Sequence, residues 1–186
     1  MEVNDLNRGE LLKKWQPTID KTFDIFSWTS GHELAALCEF ASRANGIVEI
    51  GGYHGKSAKC MSLANPEAKI LVIDLPQDIR CQRILEINLT NTGAYIFSGN
   101  SRESYPALSE HAQRAEIKFG FVDGGHLEAD VAYDISMLLT VMKPGSILSG
   151  HDWRSNNMDD GVNRGVLSHF PRERINIFES IWWVKL

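Results

Sequence analysis

Residues 47–57 read Ile47-Val48-Glu49-Ile50-Gly51-Gly52-Tyr53-His54-Gly55-Lys56-Ser57, and this run decides the fold. Ile47 to Ile50 is a short apolar stretch of strand length, and it runs straight into a glycine-rich loop. Ser57 to Leu63 then has helical character and stops at Asn65-Pro66. Glycines permit a tight turn and close backbone approach, and the following helix offers unpaired N–H groups at its start. The loop is not G-x-G-x-x-G. It is not a P-loop either: Gly55-Lys56-Ser57 has the right ending, but Gly51 lies one residue too close to Gly55. Phosphate-driven ATP chemistry is therefore disfavoured.

The same alternation extends in both directions. Towards the N-terminus, Ser30 and Glu33 make a capping box. Leu34, Leu37, Cys38 and Ala41 follow on one helical face, which Asn45-Gly46 closes. Towards the C-terminus, Lys69 to Asp74 reads as a buried strand ending in an acid, Asp78 to Leu89 as a helix, and Ala94 to Phe97 as a strand before Ser98-Gly99-Asn100-Ser101. A helix over Arg102 to Gln113 precedes the strand Ile117 to Val122, which ends at Asp123-Gly124-Gly125-His126. Val131, Ile135, Leu138, Leu139 and Met142 share a helical face closed by Pro144-Gly145. Ser146 to Ser149 is a strand leading into Gly150-His151-Asp152-Trp153. A short helix near Gly161 to Phe170 and strands at Arg174 to Phe178 and Ser180 to Leu186 complete the chain.

Strands alternating with helices predict an α/β fold, an open and mostly parallel sheet with helices on both faces. Ligands of such sheets bind beyond the strand C-termini, near the switch in strand order. Glu49, Gly51, Asp74, Gly99, Asp123, His126, His151 and Asp152 all fall at those ends, on one edge of the sheet.

Composition narrows the function. With 186 residues, 43% apolar and 23% charged, the chain suits one globular domain, and residues 1–29 read as a lead-in or cap segment with Leu11, Leu12 and Trp15 at helical spacing. The longest charge-free apolar run near a helix, Ile135 to Met142, falls far short of the roughly 20 residues that span a bilayer. Met1 to Asp5 shows no signal-peptide pattern, which gives a cytoplasmic expectation and no membrane partner. Nineteen basic residues against 24 acidic ones give a net charge of −5, without the basic stripe that nucleic acid demands. Cys38, Cys60 and Cys81 lack disulfide or zinc spacing and read as free thiols.

Three of these motifs in order, Val48 to Ser57, Asp123 to His126, and Pro144-Gly145-Ser146 to His151-Asp152-Trp153, resemble the class I S-adenosylmethionine-dependent methyltransferases. More narrowly they resemble the small-molecule O-methyltransferase-like group with D-G-x-H and H-D motifs. The resemblance covers nearly all of residues 30–186. It implies a Rossmann-like, doubly wound sheet of seven strands with the last strand antiparallel. It also implies that Glu49, Gly51 and Gly55 surround the methionine part of S-adenosylmethionine, with Gly52, Tyr53 and Ser57 of the same loop among the cofactor-binding residues. Asp74 is then the ribose acceptor, Gly99, Asn100 and Ser101 lie by the adenine, and Asp123 faces the sulfonium. The loop departs from the family where Tyr53 stands at a frequent glycine position. Metal-dependent relatives carry two adjacent ligands after the fifth strand. Here that pair is His151-Asp152, so Asp123, His151 and Asp152 form the candidate set for a divalent ion such as Mg.

Methyl transfer to a hydroxyl needs alignment and removal of one proton. Asp123, His126 and His151 are the candidate catalytic groups, imidazole being the side chain that titrates near neutrality. Trp153, Trp182 and Trp183 are candidates for an aromatic substrate wall or for core, while His32, His54, His111 and His169 read mainly as surface or cap residues. The expected function is methylation of a hydroxyl on a sugar or secondary metabolite, and the family makes a homodimer plausible. A non-catalytic nucleoside-binding domain is the alternative, with a nicotinamide-dependent oxidoreductase behind it. Asp123-Gly124-Gly125-His126 stands where nucleic-acid amino-methyltransferases carry Asn/Asp-Pro-Pro-Tyr/Phe, so that class is disfavoured.

Overall fold

The computed structural model describes residues 7–157 and 160–186, so the reading of Met1 to Asp5 and the first six residues of the lead-in segment lie outside them. Helix α1 (Arg8–Ile19) comes first, followed by α2 (Gly31–Ala41), β1 (Gly46–Ile50), α3 (Lys56–Ala64), β2 (Lys69–Asp74) and α4 (Ile79–Leu89). Then come β3 (Tyr95–Ser98), α5 (Tyr105–Arg114), β4 (Ile117–Val122), α6 (Glu128–Leu139), β5 (Ile147–Gly150), α7 (Gly161–Leu167), β6 (Asn176–Phe178) and β7 (Ile181–Lys185). The strands form one seven-stranded sheet in the order β3-β2-β1-β4-β5-β7-β6. Every pairing from β3 to β5 is parallel, and β7 runs antiparallel to both β5 and β6. The expected topology holds, with the last strand of the chain as the reversed one.

Alternation along the strands divides the core into two layers. Ile47, Ile70, Val72, Phe119 and Phe121 point to the face covered by α1, α2 and α3. Val48, Ile50, Leu71, Ile73 and Val122 point to the face of α5, α6 and α7. Helix α1 contributes Leu11 and Ile19 to the first layer, so much of the lead-in segment is packed. Trp182 is fully buried and packs over Gly150, where a Cβ would come within 2.6 Å of its ring. Trp153 and Trp183 are buried too, so of the two readings for the tryptophans the core one holds.

Three local expectations are corrected. The helix predicted from Arg102 begins only at Tyr105: Ser101–Glu103 make a 3-10 turn, and Pro106 takes a first-turn position where its missing N–H is harmless. The helix predicted to reach Met142 ends at Leu139, although Met142 remains buried. His111 is not a surface group; it is buried and its Nε2 bonds the carbonyl of Ile47 at 3.1 Å.

Candidate active site

The strand order reverses between β1 and β4, and the tips of these two strands nearly touch. Gly51 sits at φ 95°, and a Cβ there would lie 2.0 Å from the carbonyl oxygen of Asp123. Only glycine fits this crossing. The amide of Gly51 donates to the carbonyl of Ile73, and that of Asp123 donates to the carbonyl of Ile50, which ties β1, β2 and β4 together at their ends.

A cavity of about 880 Å³ opens over these tips, within the range of small-molecule sites. Its walls include Gly51, Gly52, Tyr53, Ser57, Asp74, Gly99, Asn100, Ser101, Asp123, His126, His151 and Asp152. Residues far apart in the chain thus converge as the strand-end argument predicts. Glu49 and Gly55 lie behind this wall. Glu49 is completely buried, where its carboxylate accepts the Ser57 hydroxyl and its second oxygen has no partner. Burial pushes its pKa up to about 8, against the opposing hydrogen bond from Ser57. Gly55 caps α3 in the left-handed region, and its missing side chain leaves room for Leu85 and Leu89.

Asp74 is held at the end of β2 by the glycine loop. Its Oδ1 accepts the amides of Gly52 at 2.8 Å and Tyr53 at 3.0 Å, and its carbonyl accepts the amide of Gly99. Asn100 caps the turn that follows by accepting the amide of Arg102. Beneath that turn lies Asp134 of α6, buried, with Oδ1 unpartnered. Desolvation raises its pKa to about 6 despite a hydrogen bond from Ser101.

At the other end of the cavity, His151 sits among three carboxylates. Its Nε2 lies 3.4 Å from Glu33, and its Nδ1 lies 3.5 Å from both Asp123 and Asp152. Burial works against the charged ring, but these carboxylates outweigh it and push the pKa up to about 12. Glu33 is buried as well, yet the His151 ring 3.4 Å away and bonds from Ser180 and Ser30 hold it well below the usual carboxylate range. Burial raises Asp123, whereas the His151 bond lowers Asp152. His126 is largely exposed, and its Nε2 meets Asp152 Oδ2 at 2.9 Å. Asp152 adopts φ 60° and Tyr53 φ 45°, a strain of about 1–3 kcal/mol each of the kind that collects at functional sites.

One ligand atom each from Asp123, His126 and Asp152 lie within 4.8 Å of one another. His126 thus joins the two carboxylates from the exposed side, while His151 Nδ1 stands 3.5 Å from each of them on the buried side. Sequence reasoning missed three parts of this site. Glu33 reads only as a capping residue, though its partnership with Ser180 and His151 spans the domain. Asp134 is signalled by an acid on the apolar face of Val131 and Ile135. The aromatic-rich stretch Phe23 to Trp28 lines the cavity through Phe26 and Trp28.

With this geometry in place, comparison with known proteins fixes the class. Residues 48–153 match a family described as a methyltransferase domain, and the chain belongs to that family. Among solved structures, the O-methyltransferase TomG from Streptomyces achromogenes, involved in tomaymycin synthesis and solved with S-adenosylmethionine, shares 16% identity. The match covers 95% of this chain and 89% of that one at a TM-score of 0.67. An O-methyltransferase from Bacillus cereus in complex with S-adenosylhomocysteine shares 15% identity over 95% and 91% of the chains, TM-score 0.65. The mycinamycin methyltransferase MycE, solved with Mg, S-adenosylhomocysteine and mycinamycin VI, shares 17% identity over 97% of this chain and 54% of its own, TM-score 0.58. These likenesses confirm the fold. No curated protein sequence matches the chain significantly.

Proposed function

We propose that the protein transfers the methyl group of S-adenosylmethionine to a hydroxyl of a small molecule. The observation that carries this reading is Asp74. Two backbone amides hold its Oδ1, which leaves Oδ2 to accept the paired hydroxyls of a ribose at the open end of β2. Gly51, Tyr53 and Ser57 flank the methionine part, and Lys56 at the start of α3 adds positive character for its carboxylate. Gly99, Asn100 and Ser101 border the adenine, with Asp134 fixing the Ser101 turn. Asp123 closes the cavity at the sulfonium end.

The reaction is an in-line displacement: the acceptor oxygen forms a bond to the methyl carbon as the carbon–sulfur bond breaks. The acceptor proton goes to His126. Its Nε2–H donates to Asp152, which leaves the Nδ1 lone pair free as the base. His151, as imidazolium, has no lone pair to offer. It neutralises and positions Asp123 and Asp152 beside the reacting atoms. The products are a methyl ether, S-adenosylhomocysteine and a protonated His126.

In a second arrangement, in which the His126 lone pair is a ligand and no longer the base, the trio Asp123, His126 and Asp152 would hold a divalent cation. Two carboxylates with one imidazole suit Mn²⁺ or Fe²⁺ better than Mg²⁺, which favours oxygen donors. Such an ion supplies Lewis-acid polarisation of the acceptor hydroxyl when bound.

Among the described residues five carboxylates and one lysine line the cavity, a balance that argues against a nucleic-acid substrate. Three free cysteines fit a cytoplasmic setting, and among the described residues no helix is long and apolar enough to cross a membrane. Incubation with methyl-labelled S-adenosylmethionine and a panel of hydroxylated small molecules tests the proposal. Mass spectrometry is expected to find O-methylated product, and transfer to nitrogen alone, or tight NAD binding in place of S-adenosylhomocysteine, contradicts it.

A further inference from the structure

Asp152 adopts a left-handed backbone that a residue with a side chain keeps only where its surroundings enforce it. In that conformation its Oδ2 meets two rings, His126 Nε2 at 2.9 Å and His151 Nδ1 at 3.5 Å. One hydrogen bond fixes the chain on each side. The amide of His151 donates to the carbonyl of Val122 at 3.0 Å, and the amide of Trp153 donates to the carbonyl of Ser180 at 2.9 Å. Val122 belongs to β4 and is held by the sheet. Ser180 has no such support, because it lies in the two-residue turn between β6 and β7, beside Glu179 at φ 56°. The second anchor is only as firm as that turn.

Glu33 holds the turn. Its Oε1 accepts the amide of Ser180 at 3.2 Å and the Ser180 hydroxyl as well. The same oxygen faces His151 Nε2 at 3.4 Å, and that buried nitrogen has no closer hydrogen-bond partner among the described residues. Glu33 Oε2 accepts the amide of Ser30 at 2.8 Å, while the Ser30 hydroxyl accepts the amide of Glu33, so the start of α2 locks the side chain in place. Capping uses Oε2 alone. Every contact of Oε1 goes to the two flanks of Asp152: the ring of the residue before it, and the turn that anchors the residue after it.

Resting on the methyltransferase reading above, we infer that Glu33 is a positioning residue of methyl transfer: by bridging His151 and Ser180 its Oε1 holds the left-handed turn at Asp152, and with it the Asp152–His126 pair. Glu33 is buried and acts only through these neighbours. Alignment of the base with the acceptor is what the arrangement protects, and a misplacement of about 1 Å at a reacting centre can cost about 10²-fold in rate.

The test compares the full chain with Glu33→Ala, Glu33→Gln and Ser180→Ala by crystallography, by calorimetry with S-adenosylhomocysteine, and by steady-state methyl transfer to the acceptor found in the panel above. In Glu33→Ala, Asp152 is expected to leave the left-handed region, or its Oδ2 to move from His126 by about 1 Å or more. kcat is expected to fall about 10²-fold while KM stays within about threefold, a split that lost stability alone does not produce. Affinity for S-adenosylhomocysteine is expected to stay within about twofold, since Asp74 and the glycine loop are untouched. Glu33→Gln keeps an oxygen at the Oε1 place and is expected to restore the position of Asp152 and most of kcat. Ser180→Ala removes only the hydroxyl bond, and is expected to show the same displacement and loss in smaller measure even if Glu33→Ala does not fold. An Asp152 that stays in place in every variant that folds, or a Glu33→Gln variant as impaired as Glu33→Ala, overturns the proposal. Failure of S-adenosylhomocysteine to bind the wild type strikes the methyltransferase reading instead, and the position of Asp152 in the variants still decides what Glu33 holds.

Discussion

Asp74→Asn separates the two jobs of one side chain. Oδ1 accepts two backbone amides, at 2.8 Å from Gly52 and 3.0 Å from Tyr53, and asparagine can keep its carbonyl oxygen in that place. What changes is the outward atom, where an NH₂ donor replaces a charged acceptor. Hydrogen bonds to a charged group contribute about 1.5–3 kcal/mol each. Loss of one bond to the ribose corresponds to roughly ten- to 150-fold in affinity, and loss of both to considerably more. Stability should fall by about 2 kcal/mol, because both amides keep an acceptor but lose its charge, about 1 kcal/mol for each bond. Asp74→Ala is a harsher change, since it leaves both amides unpaired at about 1–3 kcal/mol each. Urea denaturation and calorimetric titration with S-adenosylhomocysteine read the two effects apart. An Asn variant that binds within twofold of wild type would refute the ribose assignment, and one that unfolds would refute the claim that Oδ1 alone serves the scaffold.

Four further outcomes follow from the same geometry. Gly51→Ala places a Cβ 2.0 Å from Asp123 O at a positive φ, so overpacking and backbone strain together should cost about 3–5 kcal/mol in denaturant unfolding. Asp134→Asn should stabilise at high pH: folding raises the carboxyl from 3.8 to about 6, so its penalty is complete above pH 6 and disappears below pH 4. That gap sets an upper bound of about 3 kcal/mol, and a melting-temperature difference between variant and wild type that does not vary with pH would contradict it. His126→Ala should lower kcat by about 10²–10⁴-fold with little change in cofactor affinity, measured by steady-state assay once an acceptor is known. Mn²⁺ should bind the chelator-treated protein, and Asp123→Asn and Asp152→Asn should each abolish that binding in an isothermal titration.

The fold was largely legible because buried parallel strands read as apolar runs ended by glycine or acid, as at Ile47 to Gly51 and Lys69 to Asp74. The cavity-lining residues at the strand ends, Gly51, Asp74, Gly99, Asp123 and His151, were legible for the same reason. Roles among the histidines were not. His126 and His151 both follow strand ends, and only the fold shows that Glu33, more than a hundred residues away in the chain, stands against one ring and not the other. The helix start at Tyr105 was blurred because Ser101 to Ser104 forms a 3-10 turn with helical hydrogen bonding of its own. The tryptophans were ambiguous in sequence because the same side chain suits a core or a binding wall. Burial assigns Trp182 to the core and exposure assigns Trp28 to the cleft.

The central claim is that the cleft over Gly51 and Asp74 holds S-adenosylmethionine. Calorimetric titration of metal-stripped protein with S-adenosylhomocysteine, repeated with a divalent ion present, tests it most directly. The account predicts one-to-one micromolar binding under both conditions, lost together with the outward oxygen of Asp74. Absence of binding with and without the ion would contradict it, and would leave this chain a methyltransferase by family and fold with its cofactor site misassigned.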